Sequence, residues 1–341
     1  MEKRAIDMLV GLGLRFEGEE WGRVVRAAGV ENEWFTEGQV ERAAAALREE
    51  MLARERLECW LAAYERPERW RSGRIGIVMA GNLPLVGLAD LAAVVAVGHT
   101  AVVKPSSKDR VLMEYAVRVL QEEGAAVEIV DELRPEGLIG VIATGGDAAR
   151  DHFERVFAGI PALLRGSRQS VAVLDGTESD EALRGLAEDM FLYWGLGCRS
   201  VSRLFVPRGY GARELAERLG GVLPFGRSEM PQKFVECCRY ARAMAAMEGA
   251  EWEDGGYFVL RRVPLEVAPR APRIAEVWWS EYDLPQQLAE WLERHESKLQ
   301  CAAGAVPPEF PRRVPLGRTQ RPTWTDYADG IDTLHFLLNL H

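Results

Sequence analysis

The sequence predicts an α/β fold, a doubly wound parallel sheet followed by a second α/β region, and two observations carry that expectation. From Arg74 onward, short β-branched runs (RIGIVMA, TAVVK, AVEIVD, LIGVIAT and SVAVLD) alternate with helical stretches. Strands that alternate with helices are the pattern of a parallel sheet with crossover helices. The second is that the alternation resumes after residue 176, with helix-like Ser179–Leu192, strand Val201–Val206 and a pattern that ends near Val306. At 341 residues, 48% of them hydrophobic, the chain is long enough to bury more than one core.

Before the first strand, residues 1–70 read as helical. Thr36 has the chemistry of an N-cap, and Gln39 stands where a capping box places its partner. A helix over Glu41–Tyr64 follows, rich in Ala, Leu, Glu and Arg. Ile75 to Gly98 has the length of a membrane span, with only Asn82 and Asp90 strongly polar. Asn82 and Pro84 divide it into Ile75–Ala80 and Leu85–Val97, which reads as a buried strand, a turn and a buried helix. The sheet region runs over 71–176. Pro307–Pro322 reads as a surface connection, and Thr333–Leu340 as a short terminal helix. Internal repeats and low-complexity tracts are absent.

The formal net charge of −10 argues against a general nucleic-acid binder, whose affinity rests on neutralising phosphates. Five cysteines without a CxxC spacing point to free thiols in a reducing compartment. The first twenty residues lack a signal peptide's apolar stretch, so a cytoplasmic protein without a membrane span is expected. His99, His152, His295, His335 and His341 show no metal-ligand spacing, and neither HExxH nor GxSxG occurs. No metal is expected.

Cys198 lies between Gly197 and Arg199, after a helix and before a strand. A neighbouring guanidinium and flanking backbone amides favour a thiolate that attacks a carbonyl, whereas a buried structural thiol is the plain alternative. Cys59, Cys237, Cys238 and Cys301 carry less signal. Asn82, in Gly81-Asn-Leu-Pro84, ends a strand and precedes a helix, where its amide can either donate to an oxyanion or cap the helix. Thr144, Gly145 and Gly146 repeat that arrangement, as a plain turn or as a place where backbone amides approach a pyrophosphate. Lys104 ends the TAVVK strand, within reach of a ribose or phosphate, or in solvent.

Taken in order, GNLP, VVKPSSKD, ATGG, SVAVLDG and GLGCRSVSRLFVP resemble the aldehyde dehydrogenase superfamily, most closely its LuxC-like acyl-CoA reductase branch. The likeness extends to WFT near residue 35 and to the DYADGIDTLHFLL ending. It implies an aldehyde-dehydrogenase-like fold. Residues 1–176 would form a helical segment and a Rossmann-like NADP-binding domain, 177–306 a catalytic domain, and 307–341 a segment packing back on the cleft or a subunit interface. It also implies that Cys198 is acylated, that Asn82 and the Cys198 amide form an oxyanion hole, and that Lys104 holds the adenosine ribose. Thr144, Gly145 and Gly146 would flank the pyrophosphate.

Where NAD-preferring members often carry Glu, this chain has Ser107 followed by Lys108, which suits the 2′-phosphate of NADPH. Arg165 stands in place of the general-base Glu of acid-forming members, and Gln169 in place of a lysine. No EIFGP-type motif is evident. The expected activity is NADPH-dependent reduction of a fatty acyl-CoA or acyl-carrier-protein thioester to an aldehyde. A homo-oligomer and an acyl-activating partner enzyme are the expected associates. An oxidative aldehyde dehydrogenase and a non-catalytic acyl-binding scaffold are the alternatives. Tyr193 and Trp194, just before the nucleophile, either line an acyl tunnel or belong to the core.

Overall fold

The structure is a computed structural model that describes residues 3–68 and 70–340. The chain divides into two compact units, Met1–Ser167 with Arg321–His341, and Arg168–Gln320.

The first unit opens with four helices, α1 (Lys3–Leu14), α2 (Gly18–Glu31), α3 (Glu37–Glu50) and α4 (Arg54–Ala62). Thr36 does occupy the N-cap of α3, but its side chain makes no capping bond. The single helix expected over Glu41–Tyr64 is broken between α3 and α4. Met51 and Leu52 are consecutive apolar residues, and both are buried. In a continuous helix adjacent side chains diverge by about 100°, so the break lets both face the core.

The parallel sheet of this unit runs in the order β3-β2-β1-β4-β5. Its strands are β1 (Arg74–Val78), β2 (Thr100–Lys104), β3 (Val127–Ile129), β4 (Gly140–Thr144) and β5 (Ala162–Arg165). Helices α5 (Leu88–Val97), α6 (Arg110–Glu122) and α7 (Asp147–Val156) form the crossovers. The α5 sequence LADLAAVVAV is apolar on nearly every side and is buried accordingly. Gly98 ends it at φ +89°, a left-handed position that glycine takes without steric cost.

The second unit holds a seven-stranded sheet in the order β12-β11-β6-β7-β10-β9-β8, parallel except for the β8–β9 pair. Its strands are β6 (Gln169–Val173), β7 (Val201–Pro207), β8 (Trp252–Asp254), β9 (Val259–Arg262), β10 (Glu276–Tyr282), β11 (Leu299–Gly304) and β12 (Arg313–Val314). Helices α8 (Asp180–Phe191), α9 (Ala212–Gly220), α10 (Gln232–Met247) and α11 (Pro285–His295) complete it. Ser179 caps α8 by accepting a hydrogen bond from the Ala182 amide.

Two expectations need correction. The run SVAVLD does not close the first sheet; it is β6, paired between β11 and β7. The division therefore falls at Ser167 and not at residue 176. A buried parallel strand is Val-rich whichever sheet it joins, so its local pattern does not name its neighbours. The fifth strand of the first sheet is the shorter Ala162–Arg165. Pro307–Pro322 is also more than a surface connection. It contains β12, and Phe310, Thr319 and Gln320 are buried. The chain then rejoins the first unit, where α12 (Thr333–Leu338) packs its buried leucines into the same core as α5.

Candidate active site

In the first unit, the carboxyl ends of β1, β2 and β4 lie side by side. Val78 is in register with Lys104 on one flank and with Ala143 on the other. The chain order reverses between β1 and β4, and open parallel sheets bind ligands at such a switch point. Lys104 and Thr144 are the last residues of β2 and β4, and Asn82, Ser107, Lys108, Gly145 and Gly146 stand on the loops of that edge. Asn82 is exposed and is not a helix cap, since Gly87 holds that position for α5. Ser107 and Lys108 are exposed, and Lys104 is half-buried.

The loop after β1 is held from below. Leu85 adopts φ +58°, and its amide donates to the buried Asp109 carboxyl at 2.9 Å. Burial pushes the Asp109 carboxyl well above the usual carboxylate range. Gly145 approaches α7 so closely that a Cβ would come within 2.8 Å of the Ala149 Cβ. Gly146 is the N-cap of α7. Glycines at a strand-to-helix turn, with two lysines on the same sheet edge, suit an anionic dinucleotide.

Arg165, at the end of β5, points into this unit's interior. It donates to both Asp90 carboxylate oxygens, at 2.7 and 2.8 Å, and to Thr333 Oγ1 at 2.9 Å. A longer contact of 3.4 Å reaches Thr144 Oγ1.

In the second unit, Cys198 is exposed on the turn between α8 and β7. Three residues in left-handed conformation precede that turn, Tyr193 (φ 54°), Trp194 (φ 59°) and Gly195 (φ 71°). Such backbone is costly for the non-glycine pair and persists only where packing enforces it. Trp194 supplies the packing, with ring centroids 4.7 Å from Phe225 and 5.1 Å from Phe234. It is a core aromatic, and Tyr193 is buried as well. Among the other cysteines, Cys301 and Cys238 are buried and their thiols are pushed up, Cys238 to about 12. Cys59 is exposed on α4, and Cys237 is half-buried.

Hydrogen bonds brace the Cys198 turn from both sides. Ser170 Oγ donates to the Cys198 carbonyl at 2.8 Å and lies 3.2 Å from Cys301 Sγ. The Gly197 amide donates to Ser200 Oγ at 3.2 Å, and Gln320 Nε2 donates to the same oxygen at 3.2 Å. Gln320 Nε2 also donates to the Asp189 carbonyl at 3.1 Å. Sequence reasoning missed Asp189, Ser170, Ser200 and Gln320. The one signal in the sequence was Asp189 standing among the apolar residues Leu186, Ala187, Met190 and Phe191, where a carboxylate requires partners.

The family model described as acyl-CoA reductase (LuxC) matches residues 32–254. N-succinylglutamate 5-semialdehyde dehydrogenase of Burkholderia ambifaria is 27% identical over 203 residues, 53% of this chain and 40% of that relative. The chain thus aligns with less than half the length of that curated relative. Among solved structures, aldehyde dehydrogenase 21 of Physcomitrella patens, in complex with succinate, superposes with a TM-score of 0.69 at 15% identity, covering 98% of this chain and 82% of that one. A variant of aldehyde dehydrogenase C of Pseudomonas syringae, in complex with NAD+ and octanal, gives 0.66 at 15% identity, covering 89% and 72%. These likenesses establish an aldehyde-dehydrogenase-like fold, and with the family match over more than half its residues the chain belongs to the LuxC acyl-CoA reductase family.

Proposed function

We propose that the protein reduces a fatty acyl thioester, borne by CoA or by a carrier protein, to an aldehyde through an acyl-Cys198 intermediate. The observation that carries this reading is an exposed thiol on a turn whose backbone is fixed by hydrogen bonds. The Cys198 thiolate attacks the acyl carbonyl, and the S–C bond to the departing thiol breaks with its electron pair. The Asn82 amide is proposed to donate to the oxyanion. Lys104, Ser107, Lys108 and the turn Thr144-Gly145-Gly146 would hold a nicotinamide cofactor, with NADPH favoured by the cation at Lys108 and the lack of a carboxylate at Ser107. A nicotinamide cofactor held there would supply the hydride that reduces the carbonyl carbon of acyl-Cys198. Collapse of the resulting thiohemiacetal on Cys198 releases aldehyde and regenerates the thiolate.

Water is a poor competitor in this scheme because the position matched to the general base is Arg165, whose guanidinium is engaged by Asp90. That feature weighs against the acid-forming alternative. The test is the intact-protein mass after mixing with medium- and long-chain acyl-CoA, followed by NADPH. A single acyl adduct, absent in Cys198→Ala and discharged as aldehyde, is expected. Release of free acid in place of aldehyde would mean that water, not hydride, discharges the acyl-Cys198 intermediate, and would overturn the reductase reading. Absence of both adduct and CoA release would favour a non-catalytic scaffold.

A further inference from the structure

We infer that Asp189 is a positioning residue for the Cys198 turn, acting through Gln320 and Ser200. The inference rests on the reading of Cys198 as the nucleophile and adds residues that reading does not contain. No side chain from Gly195 to Arg199 is buried, so packing does not fix the turn that carries the thiol. Its hydrogen bonds do. Gly197 and Ser200 close the turn reciprocally: the Ser200 amide donates to the Gly197 carbonyl at 3.0 Å, and the Gly197 amide donates to Ser200 Oγ. Ser200 is itself buried, and its oxygen is located by the Gln320 amide.

Gln320 in turn is located by Asp189. The Asp189 side chain is fully buried in α8, the helix that leads into the strained turn. Its Oδ2 accepts from the Gly317 amide at 2.6 Å, while Oδ1 accepts from the Thr319 amide at 2.9 Å and the Thr319 hydroxyl at 2.8 Å. The segment 317–320 is thereby fastened to α8, and Gln320 reaches back to the Asp189 carbonyl and across to Ser200. Only an ionised carboxylate presents acceptors to all three donors; an amide would set an N–H against one of them. A misplacement of a nucleophile by about 1 Å is enough to slow attack on a bound carbonyl, so this chain of contacts sets the attack geometry without touching substrate.

The test compares Asp189→Asn, Gln320→Ala, Ser200→Ala and Ser200→Thr in the full chain. Two readouts are followed, acyl-CoA turnover and the rate at which iodoacetamide alkylates Cys198, together with thermal unfolding. Loss of kcat by about 10- to 100-fold with KM little changed is expected for Gln320→Ala and Ser200→Ala, with recovery in Ser200→Thr, which keeps the hydroxyl. The double variant Asp189→Asn/Gln320→Ala should be no slower than the worse single variant, because the two act in series. If Asp189→Asn fails to fold, the Gln320 and Ser200 variants decide the matter alone. Wild-type kcat and alkylation in both, or no recovery by Ser200→Thr, would overturn the inference. If the wild-type protein turns over no thioester but Gln320→Ala still alters Cys198 alkylation, the positioning stands and the proposed reaction falls.

Discussion

Arg165 Nη1 donates to both carboxylate oxygens of Asp90 inside the first unit, at 2.7 and 2.8 Å, and both side chains are largely withdrawn from water. The pair joins the end of β5 to the first turn of α5, and Thr333 at the start of α12 accepts from the same guanidinium. A position that the resemblance matched to a catalytic base thus holds a structural cation.

Replacing either partner leaves the other charge buried and uncompensated, which costs roughly 3–5 kcal/mol in comparable pairs. Arg165→Ala and Asp90→Ala are each expected to destabilise the protein by about that amount in urea unfolding. Arg165→Glu should do worse, setting two carboxylates together, and so should not create an acid-forming enzyme. Soluble, stable Arg165→Glu that releases fatty acid would contradict this account.

Ser107 and Lys108 are exposed, so exchanging them leaves the fold alone and tests their proposed contact with the cofactor. Ser107→Glu is expected to raise KM for NADPH by about 10-fold or more while improving use of NADH, with stability within about 0.5 kcal/mol of wild type. A variant that keeps the original preference would place the 2′-recognition elsewhere.

Those loops illustrate what the sequence made legible. Strands RIGIVMA, TAVVK and LIGVIAT, the buried α5 and the motifs after them could be read locally, because apolar runs and turn residues announce themselves within a few positions. The membership of β6 in the second sheet could not, since pairing partners lie far along the chain: its neighbours are β11 and β7. For the same reason Gln320 passed as part of a proline-rich connection. Its contacts with Asp189 and Ser200 span more than a hundred residues, and no local pattern records them. The break between α3 and α4 was hidden by strong helix formers on both sides, overridden by burial of Met51 and Leu52.

Trp194 offers a sharper test of the strained approach to Cys198. It is 1% exposed, sits at φ 59° and packs against Phe225 and Phe234. Trp194→Ala removes the packing that enforces the left-handed backbone, and a loss of about 3–5 kcal/mol is expected. Were the ring part of an acyl tunnel instead, Trp194→Phe would shift chain-length preference with stability nearly unchanged. A core role predicts a clear fall in melting temperature and the same preference among acyl chains.

The Asp189 carboxyl gives the site a defined pH response. Burial, with a smaller contribution from neighbouring Glu188, raises it from 3.8 to about 6 against the three hydrogen bonds that favour its ionised form. A raised folded-state value means that the folded chain holds this proton more tightly than the unfolded chain. The stability it contributes is therefore complete below about pH 4 and is lost as pH rises through about 6. Asp189→Asn should remove this component, so the difference in unfolding free energy between variant and wild type should change between pH 4 and 6 and stay constant above about 7. Turnover should run the opposite way. Protonation puts a donor where the Gly317 and Thr319 amides need acceptors, so kcat is expected to fall below about pH 6 while KM holds, and Asp189→Asn should abolish that limb of the profile. An unchanged acid limb in Asp189→Asn would assign it to another group.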